Sequence, residues 1–344
     1  MKLKRIFALI LALVLSALTG CSGSNARIAA TYNGGEVPAG IYIANLLSAE
    51  NEASYQIPDP SKPLLKQEID GKKASDWIKE RAQEYTKRFA AVESECTRLG
   101  ITLDETVSTS IVSSIAQSWE TQGTIYQQNG VSQASLAMLS QSSNKSALLL
   151  QKIYGEGGEK AVGEDELKSY YMQNYRRVLF LLIPKVDEAS GAMLEGDPLK
   201  EREALIDAYY SRAQNGEKLF DLMNEYEKTK PTPTTLVESQ QEAVISKTTT
   251  SYPASFLTAV FAQDAALGTV ERYEDETGRY TILFDRRDLM GDGSQYAMAK
   301  ASLLSEMKRE EFLADLLKIA DSSIDFVFND NAVRRYTPSK LKLK

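Results

Sequence analysis

The sequence predicts a mainly helical protein with a small α+β module inserted into the helical body. After one short strand, the chain up to about residue 175 shows helical spacing of apolar residues, broken by glycine and proline turns. The pattern changes at Arg177, where an apolar run of strand length begins, and one long helix follows Gly293. A group of strands enclosed between runs of helices is typical of the α+β class.

The first predicted elements are a strand over residues 28–32, an Asn33-Gly34 turn and a helix to about residue 52. A long helix from Ser75 is indicated by apolar residues spaced alternately four and three apart. Gly100 ends this helix because glycine tolerates a positive φ. Cys96 lies on the apolar stripe, so we expect a buried, unreactive thiol.

Three further helices complete the predicted helical body. The spacing from Thr102 to Glu105 matches a capping box and starts a helix to about residue 122. Ser132 starts the next helix, which ends at Gly155, and Glu164 begins the last.

The predicted module starts with a strand over residues 178–183, which Pro184 stops. Two helices follow between residues 197 and 228. Residues 229–252 lack glycine and periodicity, which predicts a long irregular connection. The rest of the chain is predicted as a short helix over 253–263, two strands within 269–286, a long helix over 294–320 and a partly extended, basic end.

The N-terminus has the features of a cleaved leader. Basic residues precede a 13-residue apolar run over 6–18, which is too short to span a bilayer well. Leu18-Thr19-Gly20-Cys21 resembles a bacterial lipobox, which implies transfer of a diacylglyceryl group, with acyl chains such as palmitate, to the Cys21 sulfur and then cleavage between Gly20 and Cys21. Two or more acyl chains anchor a protein stably, which predicts an extracytoplasmic, membrane-attached lipoprotein. The alternative is an ordinary secretory signal in which Cys21 is incidental.

Composition excludes several classes of function. The chain has no histidine, which rules out Ser-His-Asp and Cys-His catalysis and histidine-ligated metals. Its 40 basic and 47 acidic residues give a net charge of −7, so nucleic acid is not an expected partner. With Cys21 lipidated, Cys96 has no cysteine to pair with. No metal or other cofactor is predicted.

Three stretches together resemble PrsA/SurA-type foldases, a family of extracytoplasmic chaperones. Asn33-Gly34-x-x-Val37, with Tyr42 five residues later, is similar to the start of the family's chaperone domain. The glycine-rich residues 154–158 resemble its end in clostridial-type PrsA lipoproteins. Residues 177–287 resemble a parvulin prolyl isomerase domain, with a Phe-x-x-Ala-x-Phe stretch over 256–261 and a closing strand after Gly278.

Two departures from the parvulin pattern bear on activity. Parvulins place two histidines in the core of their site, and the corresponding positions here are Phe180 and Thr281. The family's Gly-Gly-x-Leu-Gly segment has no counterpart between residues 218 and 267. We therefore expect no catalytic residue in this module.

The resemblance implies a SurA-N-like helical chaperone body with a degenerate parvulin-like domain inserted in it. The predicted divisions are a signal peptide over 1–20, a lipidated tether over 21–26, a helical domain over 27–176, the module over 177–289, and a C-terminal helix and tail over 290–344 that packs back on the helical domain.

The implied function is a chaperone or foldase that is anchored in the bilayer through Cys21 and binds unfolded or newly exported proteins, without isomerase activity. The first alternative is an active PrsA-type peptidyl-prolyl isomerase. The second is a solute-binding lipoprotein, a class built from two lobes with repeated strand–helix alternation. The chaperone reading requires an apolar concave face outside the core of the N-terminal helices.

Overall fold

The computed structural model describes residues 27–187, 189–262, 266–291 and 293–343. The predicted signal peptide, Gly20, Cys21 and the tether lie outside the described residues. The chain forms two compact units: Leu304–Lys344 joins the described part of Met1–Ala161, and Val162–Leu303 forms the second unit. The second unit is thus an α+β insertion in the sequence of a mainly helical first unit, which confirms the predicted fold class.

The secondary-structure elements follow the order that the sequence patterns predict, with five added strands and two added short helices. No described helix is both long enough and apolar enough to cross a bilayer. The strands are β1 (Ile28–Tyr32), β2 (Gly35–Pro38), β3 (Glu68–Ile69), β4 (Lys72–Lys73), β5 (Tyr175–Pro184), β6 (Glu242–Ser246), β7 (Val270–Glu274), β8 (Tyr280–Arg287) and β9 (Val327–Phe328). The helices are α1 (Ala39–Ser54), α2 (Ala74–Leu99), α3 (Glu105–Gln128), α4 (Gln133–Tyr154), α5 (Glu164–Asn174), α6 (Gly196–Gln214), α7 (Leu219–Glu227), α8 (Glu238–Gln241), α9 (Ala254–Val260), α10 (Ser294–Ser322) and α11 (Asp330–Arg335). The added elements are the strands β2, β3, β4, β6 and β9 and the short helices α8 and α11.

The core of the first unit forms between α1 and α2. Tyr42 and Leu46 of α1 pack against Ile78 and Ala82 of α2, and all four are fully buried. The alternating four-and-three spacing of α2 is therefore its buried face, as predicted, and Gly100 ends the helix with φ +66°. Burial of each large apolar side chain contributes about 1.5–3 kcal/mol to folding.

The C-terminal segment completes this unit by pairing with the first strand. β1 lies between β2 and β9 in an antiparallel sheet. The Asn329 backbone N–H donates to the Ala29 carbonyl at 2.8 Å, and the Asn329 side chain donates to the Ile28 carbonyl at 2.9 Å. Val333 of α11 is buried in the same core as Tyr42.

The start of α3 differs from the prediction. The N-cap is Asp104, whose side chain accepts from the Thr106 backbone N–H at 2.7 Å, so Thr102 is not the capping residue. An aspartate at the N-cap satisfies one of the free N–H groups of the first turn. The helix also continues to Gln128, beyond the expected end near residue 122.

The second unit contains a four-stranded antiparallel sheet in the order β6-β5-β8-β7, with helices on both faces. Successive residues of a strand point to opposite faces, and this alternation sorts the core into two clusters. Leu179 and Leu283 face α6 and α7, whereas Val178 and Phe284 face α9.

The prediction of an irregular connection over residues 229–252 is wrong in its second half. The helical turn α8 precedes β6, which pairs with β5 at the edge of the sheet. Ile245 is the buried residue of this strand, and its neighbours are only partly buried or exposed. An edge strand that buries so little lacks the alternation by which strands are recognised in a sequence.

Candidate functional site

Phe180, at the position of the first parvulin histidine, is a packing residue on the sheet face that α9 covers. Its ring lies edge-to-face with Tyr252 at 6.2 Å and with Phe256 at 6.4 Å. Phe256 is fully buried and also contacts Phe284 and Tyr273. Aromatic rings therefore occupy the space beside Phe180 that a polar catalytic group would need.

Thr281, at the second histidine position, lies on the opposite face of the sheet. Phe180 is paired with Phe284, and Thr281 stands three residues before Phe284 in β8, so its side chain points the other way. Phe180 and Thr281 therefore do not face a common site. The alternation of side chains along a strand separates them.

Thr281 is buried, and it hydrogen bonds to an ion pair whose Glu274 side chain is 42% exposed. Its hydroxyl donates to Glu274 Oε2 at 2.7 Å, and Lys185 Nζ donates to the same oxygen at 2.8 Å. Burial alone would raise the pKa of Glu274, but the donors from Lys185, Thr281 and Arg272 hold it below its usual value. These groups satisfy one another, which indicates a structural role.

Arg177, the first residue of the parvulin-like stretch, also has a structural partner. Its guanidinium Nε donates to Glu242 Oε2 at 2.8 Å, and Nη1 contacts the Asp288 carbonyl at 3.4 Å. This pair joins β5 to the edge strand β6. Phe180, Thr281 and Arg177 therefore do not form a catalytic constellation with one another.

In the first unit, helix α3 has an apolar face that is only half covered. Its 24 residues pack along α4, and Gly123 is the only one of them that is buried. Ile111, Ile115 and Trp119 follow one another at intervals of four and are each partly exposed. An amphipathic helix normally buries such a stripe against a core.

The borders of this stripe carry exposed aliphatic side chains and almost no charge. Val107, Val112 and Ile125 are 40–51% exposed. Within α3 only Glu105 and Glu120 are charged, and residues 121–144 contain no charged side chain. We call α3 with this half-covered face the apolar arm.

Two stacked aromatic rings lie along the apolar arm. The rings of Trp119 and Tyr126 lie 6.4 Å apart and 13° from parallel. A Cβ at Gly123 would stand 2.7 Å from the indole, so only glycine lets Trp119 lie flat on the helix at this point. The indole thereby covers the helix backbone.

A cleft of about 370 Å³ opens between α1, α2, α4 and the part of α10 that belongs to the first unit. Its apolar floor has the side chains of Phe89, Val92, Leu139, Leu313 and Leu316. One wall carries serine hydroxyl groups, which can donate or accept hydrogen bonds as they rotate. The serines and other polar residues of the cleft are Ser48, Ser142, Ser143, Ser146, Asn45, Tyr85 and Arg88.

Arg88 gives this serine-lined cleft its one cationic side chain among the described residues. Its Nε is buried and has no hydrogen-bond partner within the described part of the chain. Burial lowers the pKa of the Arg88 guanidinium, and Glu84 lies 3.9 Å from Nη2. A surface of this composition can accept apolar side chains on its floor and peptide groups along its wall.

A larger cleft of about 530 Å³ in the same unit is dominated by internal ion pairs. Lys160 Nζ lies 2.5 Å from Asp315 Oδ2, and Arg98 lies between Glu95 and Glu159. Burial, together with the hydrogen bond to Asp315, raises the pKa of Tyr154 to about 12. Because these charges satisfy one another, this cleft offers less to a ligand than the serine-lined cleft.

Cys96 is buried, as predicted from its place on the α2 stripe. Burial raises the pKa of its thiol to about 11. Cys21, the predicted lipid-attachment residue, and Gly20 lie outside the described residues.

The sequence patterns predict neither the apolar arm nor the serine-lined cleft as a specific site. The apolar arm could have been found from the interval of four between its apolar residues, together with the lack of charge over residues 121–144. The serine-lined cleft combines residues from four separate helices, and no local pattern marks it.

No protein-family model and no curated protein matches the chain. The fold is similar to solved structures of foldase proteins. The foldase protein PrsA of Lactococcus lactis has a TM-score of 0.38 and 13% identity, over 89% of this chain and 96% of that one. PrsA of Streptococcus pneumoniae has a TM-score of 0.37 and 13% identity, over 80% and 96%.

The solved structures to which the chain is similar are thus of the PrsA type that the sequence motifs predict.

Proposed function

We propose that the protein is a membrane-anchored extracytoplasmic chaperone that holds exported proteins while they fold, and that it lacks prolyl isomerase activity. The observation that supports this function is the half-covered, almost uncharged apolar face of the apolar arm. The serine-lined cleft of the same unit adds an apolar floor beside hydroxyl groups and Arg88. An exposed apolar patch is typical of an interaction site.

The chemistry of this surface fits an unfolded polypeptide. Non-native chains expose apolar side chains, and full burial of one such side chain is worth about 1.5–3 kcal/mol. The serine hydroxyls can donate hydrogen bonds to the peptide groups of a client or accept hydrogen bonds from them. Because the arm carries almost no charge, it does not select clients by charge. Attachment through Cys21 would add a high local concentration at the membrane where clients emerge.

The absence of isomerase activity is proposed from the second unit. Phe180 is packed among aromatic rings, and Thr281 is hydrogen bonded to Glu274 on the other face of the sheet. The chain has no histidine to replace them. The solute-binding alternative gains no support, since the first unit's described strands form only short antiparallel sheets.

The holding function is tested by suppression of aggregation. The mature chain with Cys21→Ser should keep a chemically unfolded exported protein in solution, and the double substitution Val112→Lys with Ile125→Lys should weaken that protection several-fold. Both positions are exposed, so the fold should be unaffected. Val237→Lys, at a site 47% exposed in the second unit, is the matched control. No protection by the parent chain would refute the proposal, and full protection by the double variant would exclude the arm.

The proposed lack of isomerase activity and the proposed lipid attachment have separate tests. A cis/trans assay on a proline peptide should show no acceleration over the uncatalysed rate, and a measurable acceleration would contradict the proposal. Expression of the full precursor with labelled fatty acid should label the protein, and Cys21→Ala should abolish the label. Label that persists in Cys21→Ala would show that Cys21 is not the attachment site.

A further inference from the structure

A third pocket, of about 430 Å³, lies within the second unit and differs from the two clefts of the first unit in its charge. It is lined by Met172 and Gln173 of α5, Arg176 at the start of β5, Lys247 just after β6, and Phe261 at the end of α9. Two of these side chains are cationic and none is acidic. In a chain whose net charge is −7, such a pocket is a local exception.

Arg176 is fixed in orientation by two kinds of contact. Its Nη1 donates to the Met172 carbonyl at 2.6 Å and to the Tyr175 carbonyl at 2.8 Å, which satisfies the free carbonyls at the end of α5. Its guanidinium lies over the Phe261 ring, with Cζ 4.8 Å from the ring centroid. A stacked guanidinium keeps its plane and loses little freedom when it binds a ligand.

Arg286 holds the backbone just before Phe261 by hydrogen bonds. Arg286 is buried and donates through Nε to the Val260 carbonyl at 2.8 Å and through Nη2 to the Ala259 carbonyl, at the end of α9. Glu271 pairs with Arg286. The end of α9, which carries the ring on which Arg176 stacks, is therefore fixed to β8.

The remaining donors of the pocket have no partner among the described residues. Both hydrogen bonds that Arg176 makes to described residues use Nη1, so its Nε and Nη2 edge has no partner among those residues. This edge is the fork that binds both oxygens of a carboxylate. Lys247 makes no side-chain hydrogen bond or ion pair with a described residue, and its backbone N–H is fixed to the Asn174 carbonyl at 2.8 Å. Burial, and to a smaller extent the charge of Arg286, lower the pKa of Arg176.

We propose that this pocket binds an acidic peptide segment, with a Glu or Asp carboxylate on the Arg176 fork and Lys247, and a neighbouring apolar side chain against Phe261 and Met172. The proposal deepens the proposed function, on which it rests for the kind of ligand. The apolar arm would hold apolar stretches without regard to charge, and this pocket would recognise acidic ones.

The test is binding of a labelled, unstructured peptide with alternating Glu and Leu to the mature chain carrying Cys21→Ser, compared with the same peptide in which Gln replaces Glu. We expect the Glu peptide to bind about ten-fold more tightly, since one charge-assisted bidentate contact is worth roughly a factor of ten. Arg176→Gln and Lys247→Gln should each remove most of this preference. Lys200→Gln, at an exposed lysine of the same unit, should leave it unchanged.

Arg176→Gln and Lys247→Gln differ in how many hydrogen bonds of the folded protein they remove. Arg176→Gln also removes hydrogen bonds to the end of α5, whereas Lys247→Gln removes none among the described residues. Equal binding of both peptides, or an unchanged preference in folded Lys247→Gln, would overturn the proposal. Binding of anionic phospholipid vesicles that depends on Lys247, without binding of the Glu peptide, would also overturn it.

The outcome is separable from that of the holding function. Aggregation suppression depends on Val112 and Ile125, and the peptide preference depends on Arg176 and Lys247. If suppression fails while the charge preference stands, the holding function is refuted and the pocket remains a peptide site. If suppression stands and the preference fails, only the pocket proposal is refuted.

Discussion

Single residues determine which chemistry the second unit can carry. Phe180 and Thr281 are both at positions where a resemblance predicts catalytic histidines, yet β5–β8 pairing places them on opposite faces. The Phe180 ring is packed against aromatic side chains, and the Thr281 hydroxyl is hydrogen bonded to Glu274. A sequence motif shows which residue stands at a position, whereas the register of the strands decides whether two positions meet.

Cys96 gives the sharpest prediction at this scale. With its pKa raised to about 11 by burial, the thiolate fraction at pH 8 is on the order of one in a thousand, and the sulfur is also shielded from solvent. Iodoacetamide should therefore leave Cys96 unmodified in the folded chain with Cys21→Ser and modify it fully in denaturant. Val327→Cys, at a site 61% exposed, serves as a reactive control. Labelling of Cys96 at the rate of that control would contradict its burial.

At the scale of single elements, the sequence predicts most helices because their apolar spacing is local. The stripe of α2, its end at Gly100 and the cap of α4 at Ser132 are all confirmed. The edge strand β6 escaped prediction because it buries only Ile245. The serine-lined cleft could not be predicted, since it forms only when four helices pack together.

Because Trp119 contacts Gly123, we expect a glycine-to-alanine substitution in α3 to change stability differently from one in an ordinary helix. A glycine-to-alanine change inside a helix normally stabilises it by about 1 kcal/mol. At Gly123 the added Cβ would stand 2.7 Å from the indole, so Gly123→Ala should displace Trp119 and cancel this gain. The displaced indole should also lose its stacking on Tyr126, which a shift in tryptophan fluorescence would report.

Two variants make this test on α3 specific. Trp119→Phe identifies the share of the fluorescence that belongs to this indole, because the chain has a second tryptophan. Ala116→Gly, at an exposed position of the same helix, should cost the usual 1 kcal/mol or so in denaturant unfolding. A gain of about 1 kcal/mol in Gly123→Ala with unchanged fluorescence would show that the contact is absent.

At the scale of the whole molecule, the first unit depends on residues that are far apart in the sequence. β1 near residue 30 pairs with β9 near residue 328, and α11 adds Val333 to the core around α1 and α2. The sequence predicts a C-terminal helix and a partly extended, basic tail that pack back on the helical domain, but no feature in it shows the pairing of β1 with β9. A two-residue strand has too little pattern to be recognised, and its partner lies about 300 residues away.

Closure of the first unit by its C-terminal segment can be measured with two valines from that segment. Val333 is 6% exposed and lies in the core, so Val333→Ala should lower the free energy of unfolding by about 2 kcal/mol through lost burial and the cavity left behind. Val327→Ala, at a site 61% exposed, should cost less than about 0.5 kcal/mol. Both tryptophans of the chain lie in the first unit, so their fluorescence during urea unfolding reports on this unit. Equal effects of the two substitutions would mean that the C-terminal segment does not contribute to the core, and the pairing of β1 with β9 would then lose its structural role.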